Sequence, residues 1–388
     1  MKEYLRYIEF VRPDSLRVWR NDKVRERLSW YYSVMRGVMP PKYLIVKNIT
    51  TDLKKDELTI LSTEELLKEH TKLQKVFNEL WSKVRESKDP WKHIKNNKVV
   101  ETPTLLDLKI ELADRLTSPC RLCEWRCGAL RNEGRMGYCR VRGLNAYVDT
   151  FFHHMGEEAP LVPSGTIFYV GCNFRCVYCQ NWNISQREGL PSEEKTPEEL
   201  ADIQKWLALN GAININHVGG DPTPNIPAIL KSLKYLDMKT PQLWNSNMYL
   251  SDVAMELIRD VIDIWLPDLK YGNDACALKY SIIKNYSEVA FRNIRIAHDS
   301  GDVIIRHLVL PNHIECCTRN VLKWISENTR RALTNIMDQY RPEYLVVRQP
   351  DKWGEIRRRV STEELRKAFE LARDYGFEGP VEDLWYLE

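Results

Sequence analysis

No stretch of the 388-residue sequence approaches the roughly 20 consecutive apolar residues that cross a bilayer. The opening MKEYLRYIEFVRPD has neither the basic n-region nor the apolar h-region of a secretory signal. The expectation is a cytoplasmic protein with no membrane partner. Charge of one sign is missing too: 57 Lys and Arg against 54 Asp and Glu leave a formal +3. That is too little over this length to argue for nucleic acid, although a local basic patch can still matter. There is no solenoid-type repeat and no low-complexity tract. With 43% hydrophobic and 29% charged residues, disordered and collagen-like classes are excluded, and the chain can bury one large core or two moderate ones.

What is present in excess is cysteine. Ten cysteines without an export signal argue against a disulfide framework, because cytosolic thiols are kept reduced, and for metal or redox chemistry. They are grouped: Cys120, Cys123, Cys127 and Cys139, then Cys172, Cys176 and Cys179. Cys276, Cys316 and Cys317 fall outside any ligand pattern and read as packing residues.

Three regions are expected: a helical N-terminal extension (1–100), a four-cysteine metal-binding segment (101–160) and an α/β unit (161–388). In the first, the capping box Ser62-Thr63-Glu64-Glu65 precedes Leu66, Leu73, Val76, Phe77, Leu80, Trp81 and Val84 at helical spacing. A Lys-rich, proline-punctuated linker, KDPWKHIKNNKVVETPT, follows. From Thr166 onward short β-branched runs alternate with amphipathic segments, the pattern of βα units on a parallel sheet. Six strands are predicted: TIFYV before Cys172, INHV before Gly219, QLWN (242–245), VIDIWL (261–266), VIIRHLVL (303–310) and YLVV (344–347). Thr196-Pro197-Glu198-Glu199 and Ser361-Thr362-Glu363-Glu364 start two of the helices; Asn210-Gly211 and Gly376 stop them. Six units predict a partial, TIM-like barrel, with its site, by analogy with closed barrels, at the strand C-terminal ends.

GCNFRCVYC places thiolates at C-x-x-x-C-x-x-C spacing directly after the first strand. Three thiolates on one loop reach three irons of a cubane cluster and leave the fourth without a nearby protein ligand. Electron-transfer clusters and structural zinc are normally closed by four ligands. At these residues the sequence resembles the radical S-adenosylmethionine (SAM) superfamily. The resemblance implies a 4Fe–4S cluster on Cys172, Cys176 and Cys179. It further implies that SAM chelates the open iron and is cleaved reductively to methionine and a 5′-deoxyadenosyl radical.

Further positions follow from the same resemblance. Tyr178 matches an aromatic that packs near adenine; core packing is the alternative. Gly219, Gly220 and Asp221 resemble a Gly-Gly-Glu motif that receives the SAM amino group, with Asp shortening the reach; a simple turn is the alternative. Asn245-Ser246-Asn247 stand where ribose hydroxyls or the carboxylate bind, Asn247 being the chosen contact, although these are also ordinary turn formers. Asp268-Leu269-Lys270 resembles the Asp-x-Lys of glycyl-radical-enzyme activases; a surface salt bridge is the alternative. Arg306 and His307 are adjacent on a strand, so only one faces the barrel interior. His307 is taken as that one, against a core histidine.

From about Cys120 onward the chain is similar to the branch related to pyruvate formate-lyase activating enzymes, through PCRLCEWRCGALRNEGRMGYC, HHMGEEAPLVPSGTIFYVGCNFRCVYCQNWNIS, IWLPDLKY and IRHLVLP. The four thiols of Cys120, Cys123, Cys127 and Cys139 suit zinc or a second 4Fe–4S cluster, and spacing does not choose. Outside that resemblance, RVWRNDKVRERLSWYYSVMR (17–36) interleaves basic and aromatic residues. It fits RNA stacking, a protein partner, or docking onto its own barrel. The leading functional expectation is activase-like hydrogen abstraction from a protein substrate, with ferredoxin or flavodoxin as electron donor. Radical modification of RNA or a peptide is the alternative, and a non-enzymatic iron–sulfur carrier the third reading. No spare Rossmann-type domain is present to bind cobalamin.

Overall fold

The computed structural model describes residues 8–94, 102–186 and 193–388. The boundary expected at residue 100 lies outside them. Ten strands are present among the described residues: β1 Ala146–His154, β2 Ser164–Tyr169, β3 Glu193–Lys195, β4 Ile215–Gly219, β5 Gln242–Ser246, β6 Ile264–Pro267, β7 Asp302–Leu308, β8 Leu333–Met337, β9 Phe377–Val381 and β10 Leu384–Leu387. They form one sheet in the order β3-β1-β2-β4-β5-β6-β7-β8-β10-β9. The six central strands, β2 to β8 without β3, are parallel. Antiparallel partners close each flank. The sheet is therefore an open, partial α/β barrel of six parallel strands. Strands covered on both faces are apolar almost throughout, as β6 shows with Ile264, Trp265 and Leu266 all fully buried.

Helix starts follow their chemistry. Ser62, Thr196 and Ser361 each accept the N3 backbone N–H while Glu65, Glu199 and Glu364 return the bond, opening helices Thr63–Glu86, Pro197–Leu209 and Thr362–Asp374.

Two strand expectations are corrected. VIDIWL is strand only from Ile264, because Val261 and Ile262 donate their amides to Ile258 O at the end of helix Asp252–Ile258. YLVV is not a strand: Leu345–Arg348 is one helical turn, entered through Tyr344 at φ +51°. The amides of Leu345 and Val346 both bond Val177 O in the cysteine loop, and Tyr344 stacks on Trp182 at 5.4 Å. The sixth parallel strand is β8.

The N-terminal helices cover the end of the barrel opposite the strand C-termini. Val18, Val24, Leu28 and Tyr31 share an apolar cluster with Leu243, Ile264, Ile304 and Leu333. Asp263, just ahead of β6, accepts from Trp30 Nε1 (2.9 Å), the Lys42 amide (3.0 Å) and the Gln242 amide (2.9 Å). Asp302 accepts from the Tyr31 amide at 2.8 Å. Trp30 and Tyr31 are thereby spent on docking to the barrel. No helix among the described residues is long and apolar enough to cross a membrane.

Candidate active site

At the C-terminal ends of the parallel strands lies a cavity of about 360 Å³. Its lining includes Cys172, Cys176, Cys179, Tyr178, Gly219, Gly220, Asp221, Asn247, Asp268 and Lys270. Residues scattered over a hundred positions meet because each follows a parallel strand. His307 is not there.

The cysteine loop and the Gly-Gly turn are zipped together by backbone bonds: Gly220 N to Tyr169 O (2.8 Å) and Asp221 N to Gly171 O (3.0 Å). Glycine is required here. A Cβ on Gly220 would stand 2.1 Å from Gly171 O, and one on Gly219, at φ +108°, 2.1 Å from Tyr169 N. Asp221 is buried; it accepts from the Thr223 amide (2.9 Å), Ser246 Oγ (3.0 Å) and the Asn247 amide (3.0 Å). Three of about four lone-pair sites of its carboxylate are thus used, one within its own turn after β4 and two to position the turn after β5.

Each thiol has a hydrogen-bond partner. Cys176 Sγ accepts from Ser281 Oγ at 2.8 Å, Cys172 Sγ from the Phe174 amide at 3.3 Å, and Cys179 Sγ lies 3.3 Å from Ser185 Oγ. Burial pushes all three thiols up, Cys176 to about 12. Without a metal they stay protonated at neutral pH; a bound cluster would take them as thiolates, releasing their protons. Three buried thiols facing one cavity, with hydrogen bonds ready for thiolates, fit a three-ligand cluster. The Tyr178 hydroxyl turns inward to Tyr271 Oη (2.7 Å), which meets Ser281 Oγ (2.6 Å).

Opposite this loop is a charged network. Asp268 Oδ2 pairs with Lys270 Nζ at 2.6 Å, and Asp268 Oδ1 accepts from Arg306 Nε at 2.7 Å. Arg306 also donates to Asn245 and pairs with Glu157 at 3.5 Å. Burial opposes ionisation of Asp268, but Arg306 and Lys270 outweigh it and hold its carboxyl below the ordinary value. Glu157 goes the other way: burial pushes it up to about 7 against the pull of Arg306.

Arg306 rather than His307 faces the cavity. On β7 the alternate residues Arg306 and Leu308 line it. His307 points to the other face, with Nδ1 2.8 Å from Leu269 O and Nε2 3.0 Å from Thr318 Oγ1, and burial pushes it down to about 4. It is the satisfied core histidine. Glu157 and Arg306 are charged cavity residues that sequence reasoning does not select; the two-residue alternation of β7 is the available signal for Arg306.

The four remaining grouped cysteines gather beside the loop. Cys120 lies beside Cys127, the sulfurs of Cys127 and Cys139 both flank Gly137, and Cys123 lies within electrostatic reach of Cys127 and Cys139. Cys139 O accepts the Cys172 amide at 3.2 Å, so this segment abuts the three-thiol loop.

Fold and site together define an open α/β barrel built around a cluster-binding loop. Residues 166–325 match the family model described as the Radical SAM superfamily. The chain belongs to that superfamily, whose members are enzymes that bind SAM and a 4Fe–4S cluster. A relative in Methanocaldococcus jannaschii, uncharacterized protein MJ0674, is 42% identical over 364 residues, covering 91% of this chain and 98% of its own. A second from that organism, MJ0808, is 24% identical over 67% of this chain and 82% of its own. Among solved structures, Streptococcus suis SuiB bound to precursor peptide SuiA is similar over 53% of this chain and 43% of its own, at 15% identity and TM-score 0.38. TYW1 with a lysine-pyruvate adduct bound is similar over 57% and 79%, at 15% identity and TM-score 0.35. The chain thus spans less than half the length of SuiB.

Proposed function

We propose that the protein is an activase-like radical SAM enzyme that abstracts hydrogen from a macromolecular substrate, on a cluster held by Cys172, Cys176 and Cys179. The observation carrying this reading is that the three thiols share one cavity with Gly219, Gly220, Asp221, Asn247, Asp268 and Lys270. When bound, the cluster supplies the electron that splits SAM into methionine and a 5′-deoxyadenosyl radical. The protein's own residues bind and orient. Gly219 and Gly220 let backbone come close to the amino acid moiety, and the remaining lone pair of Asp221 suits its ammonium. Lys270 and Arg306 offer positive charge to its carboxylate. Tyr178 supplies an apolar ring face for adenine, with its hydroxyl already satisfied inside the protein.

A macromolecular substrate is favoured by the aromatic surface beside the cavity. Phe168, which lines it, stacks on Phe152 at 5.5 Å, and Phe152 is 39% exposed; its neighbour Phe151 faces the other side of β1, against Trp206. Exposed aromatics continuous with a site suit a protein partner. Of the aromatics Trp19, Trp30, Tyr31 and Tyr32 on which the RNA alternative rests, Trp30 and Tyr31 are buried, and Trp19 and Tyr32 are partly exposed. A ferredoxin or flavodoxin is the proposed electron donor.

The test is anaerobic reconstitution with iron and sulfide, dithionite reduction with SAM, and quantification of 5′-deoxyadenosine in wild type and Cys176→Ala, with and without cell extract. Product in wild type alone supports radical SAM chemistry. A protein glycyl radical signal appearing in extract supports the activase reading. A fully reducible cluster that yields no product even with extract supports the carrier reading and defeats this one.

A further inference from the structure

We propose that Cys276, His313 and Cys316 form a further metal site, for zinc or a cation of the same class, with Cys317 placed to complete a Cys3His set. Their ligand atoms all lie within 4.8 Å of one another. Ligands about 2.0–2.3 Å from a tetrahedral ion stand roughly 3.5–3.8 Å apart, so closure onto a metal takes movements of an ångström or less. Cys317 Sγ lies just outside that group, 4.0 Å from Cys316 Sγ and within electrostatic reach of Cys276.

The surroundings are those of a built site. His313 Nδ1 lies 2.7 Å from Pro311 O, which fixes the proton on Nδ1 and leaves Nε2 free to ligate. Asn273 accepts the Cys276 amide at 2.8 Å, and its Nδ2 donates to Cys316 O (2.7 Å) and reaches Cys317 Sγ (3.7 Å). One side chain thus braces three of the cysteines. Cys316 and Cys317 lie in a π-helical turn, Ile314–Thr318, a rare local form that frequently marks functional sites. Three thiols and an imidazole select zinc over oxygen-seeking calcium or magnesium.

The site also has something to hold. Cys276 is in the first turn of helix Asp274–Ser281. At the other end of that helix, Tyr280 O and Ser281 O accept the amides of Val177 and Arg175 (2.9 and 3.0 Å), and Ser281 Oγ donates to Cys176. A metal at the near end pins the helix that supports the three-cysteine loop at the far end.

The test is metal analysis of full-length protein purified anaerobically from zinc-supplemented cells: wild type, Cys316→Ser, His313→Asn and, as a control, Cys127→Ser. Cys316 is exposed, so its substitution leaves the fold intact, which circular dichroism checks. The expected result is loss of about one zinc per chain in Cys316→Ser and His313→Asn, additive with any loss in Cys127→Ser. Metal content unchanged from wild type overturns the proposal. A second readout needs no variant: cobalt(II) protects Cys276 and Cys316 from iodoacetamide, mapped by mass spectrometry. Equal alkylation with and without cobalt, or a disulfide among these cysteines in the isolated protein, overturns it as well.

Discussion

Ser281 Oγ donates to Cys176 Sγ across 2.8 Å, linking a helix that bears no predicted ligand of the cluster to one of its three sulfurs. Hydrogen bonds to sulfur stabilise the more negative, reduced state and so raise a cluster's potential. Ser281→Ala keeps all three thiolates and removes this bond. The expected outcome is full iron loading with a potential lower by tens of millivolts, since about 1 kcal/mol corresponds to roughly 40 mV for one electron. Spectroscopic redox titration of reconstituted protein measures it; an unchanged potential would remove Ser281 from the tuning of the site.

Arg306 and His307 are neighbours with separate tasks, and substitution should divide them. Arg306→Ala leaves Asp268 with Lys270 alone and strips the cavity of a cation. SAM affinity is expected to fall by at least tenfold, in line with roughly 1.5–3 kcal/mol for a hydrogen bond to a charged group. His307→Gln breaks up contacts to Leu269 O and Thr318 Oγ1. It should cost about 1–3 kcal/mol of stability while SAM affinity stays within a factor of two. Anaerobic equilibrium dialysis and urea unfolding give the two readouts, and weak SAM binding in well-folded His307→Gln would contradict the assignment.

The same pair shows how far the sequence could be read. Period-two alternation says that Arg306 and His307 face opposite ways. It does not say which way, because Val303, Ile304 and Ile305 are apolar on both faces of β7. The phase comes from the neighbouring strands. The motifs at strand ends needed no such information, since a parallel barrel brings every strand C-terminus to one rim; Cys172, Gly219, Asn247 and Asp268 were placed together for that reason. YLVV marks another limit, since the sixth parallel strand is β8, Leu333–Met337, instead. A four-residue β-branched run is compatible with strand or helix, and what decides is long-range: Val177 O captures the amides of Leu345 and Val346. Cys276 and Cys316 are forty residues apart, on opposite sides of β7, with no local spacing to advertise them.

Glu157 makes stability depend on pH. Burial raises its folded-state value to about 7, above the ordinary 4.5. Between those two values the folded protein binds more protons than the unfolded chain, so stability falls as pH rises. The contribution is complete below about 4.5 and is lost as pH climbs through 7. In Glu157→Gln this term vanishes. Urea unfolding of wild type and variant from pH 5 to 8 should show the variant gaining on wild type as pH increases. A constant difference between them would mean that Arg306 keeps Glu157 ionised throughout.

The N-terminal helices were expected to be a unit apart, yet the groups that bind them lie in the barrel. At the starts of β6 and β7, buried Asp263 and half-buried Asp302 take the donors of Trp30, Lys42 and Tyr31. Removing residues 1–101 leaves those carboxylates short of partners and uncovers Leu243, Ile264, Ile304 and Leu333. Each exposed aliphatic side chain forfeits about 1.5–3 kcal/mol, so four of them approach the 5–15 kcal/mol by which a typical domain is stable. A chain beginning at residue 102 is therefore expected to aggregate or unfold, and Tyr31→Ala in the full chain to cost about 3–5 kcal/mol. Circular dichroism and size-exclusion chromatography decide the first, urea unfolding the second. A soluble, cooperatively melting truncated chain would show that the helices are an appendage, and that the barrel closes its lower end without them.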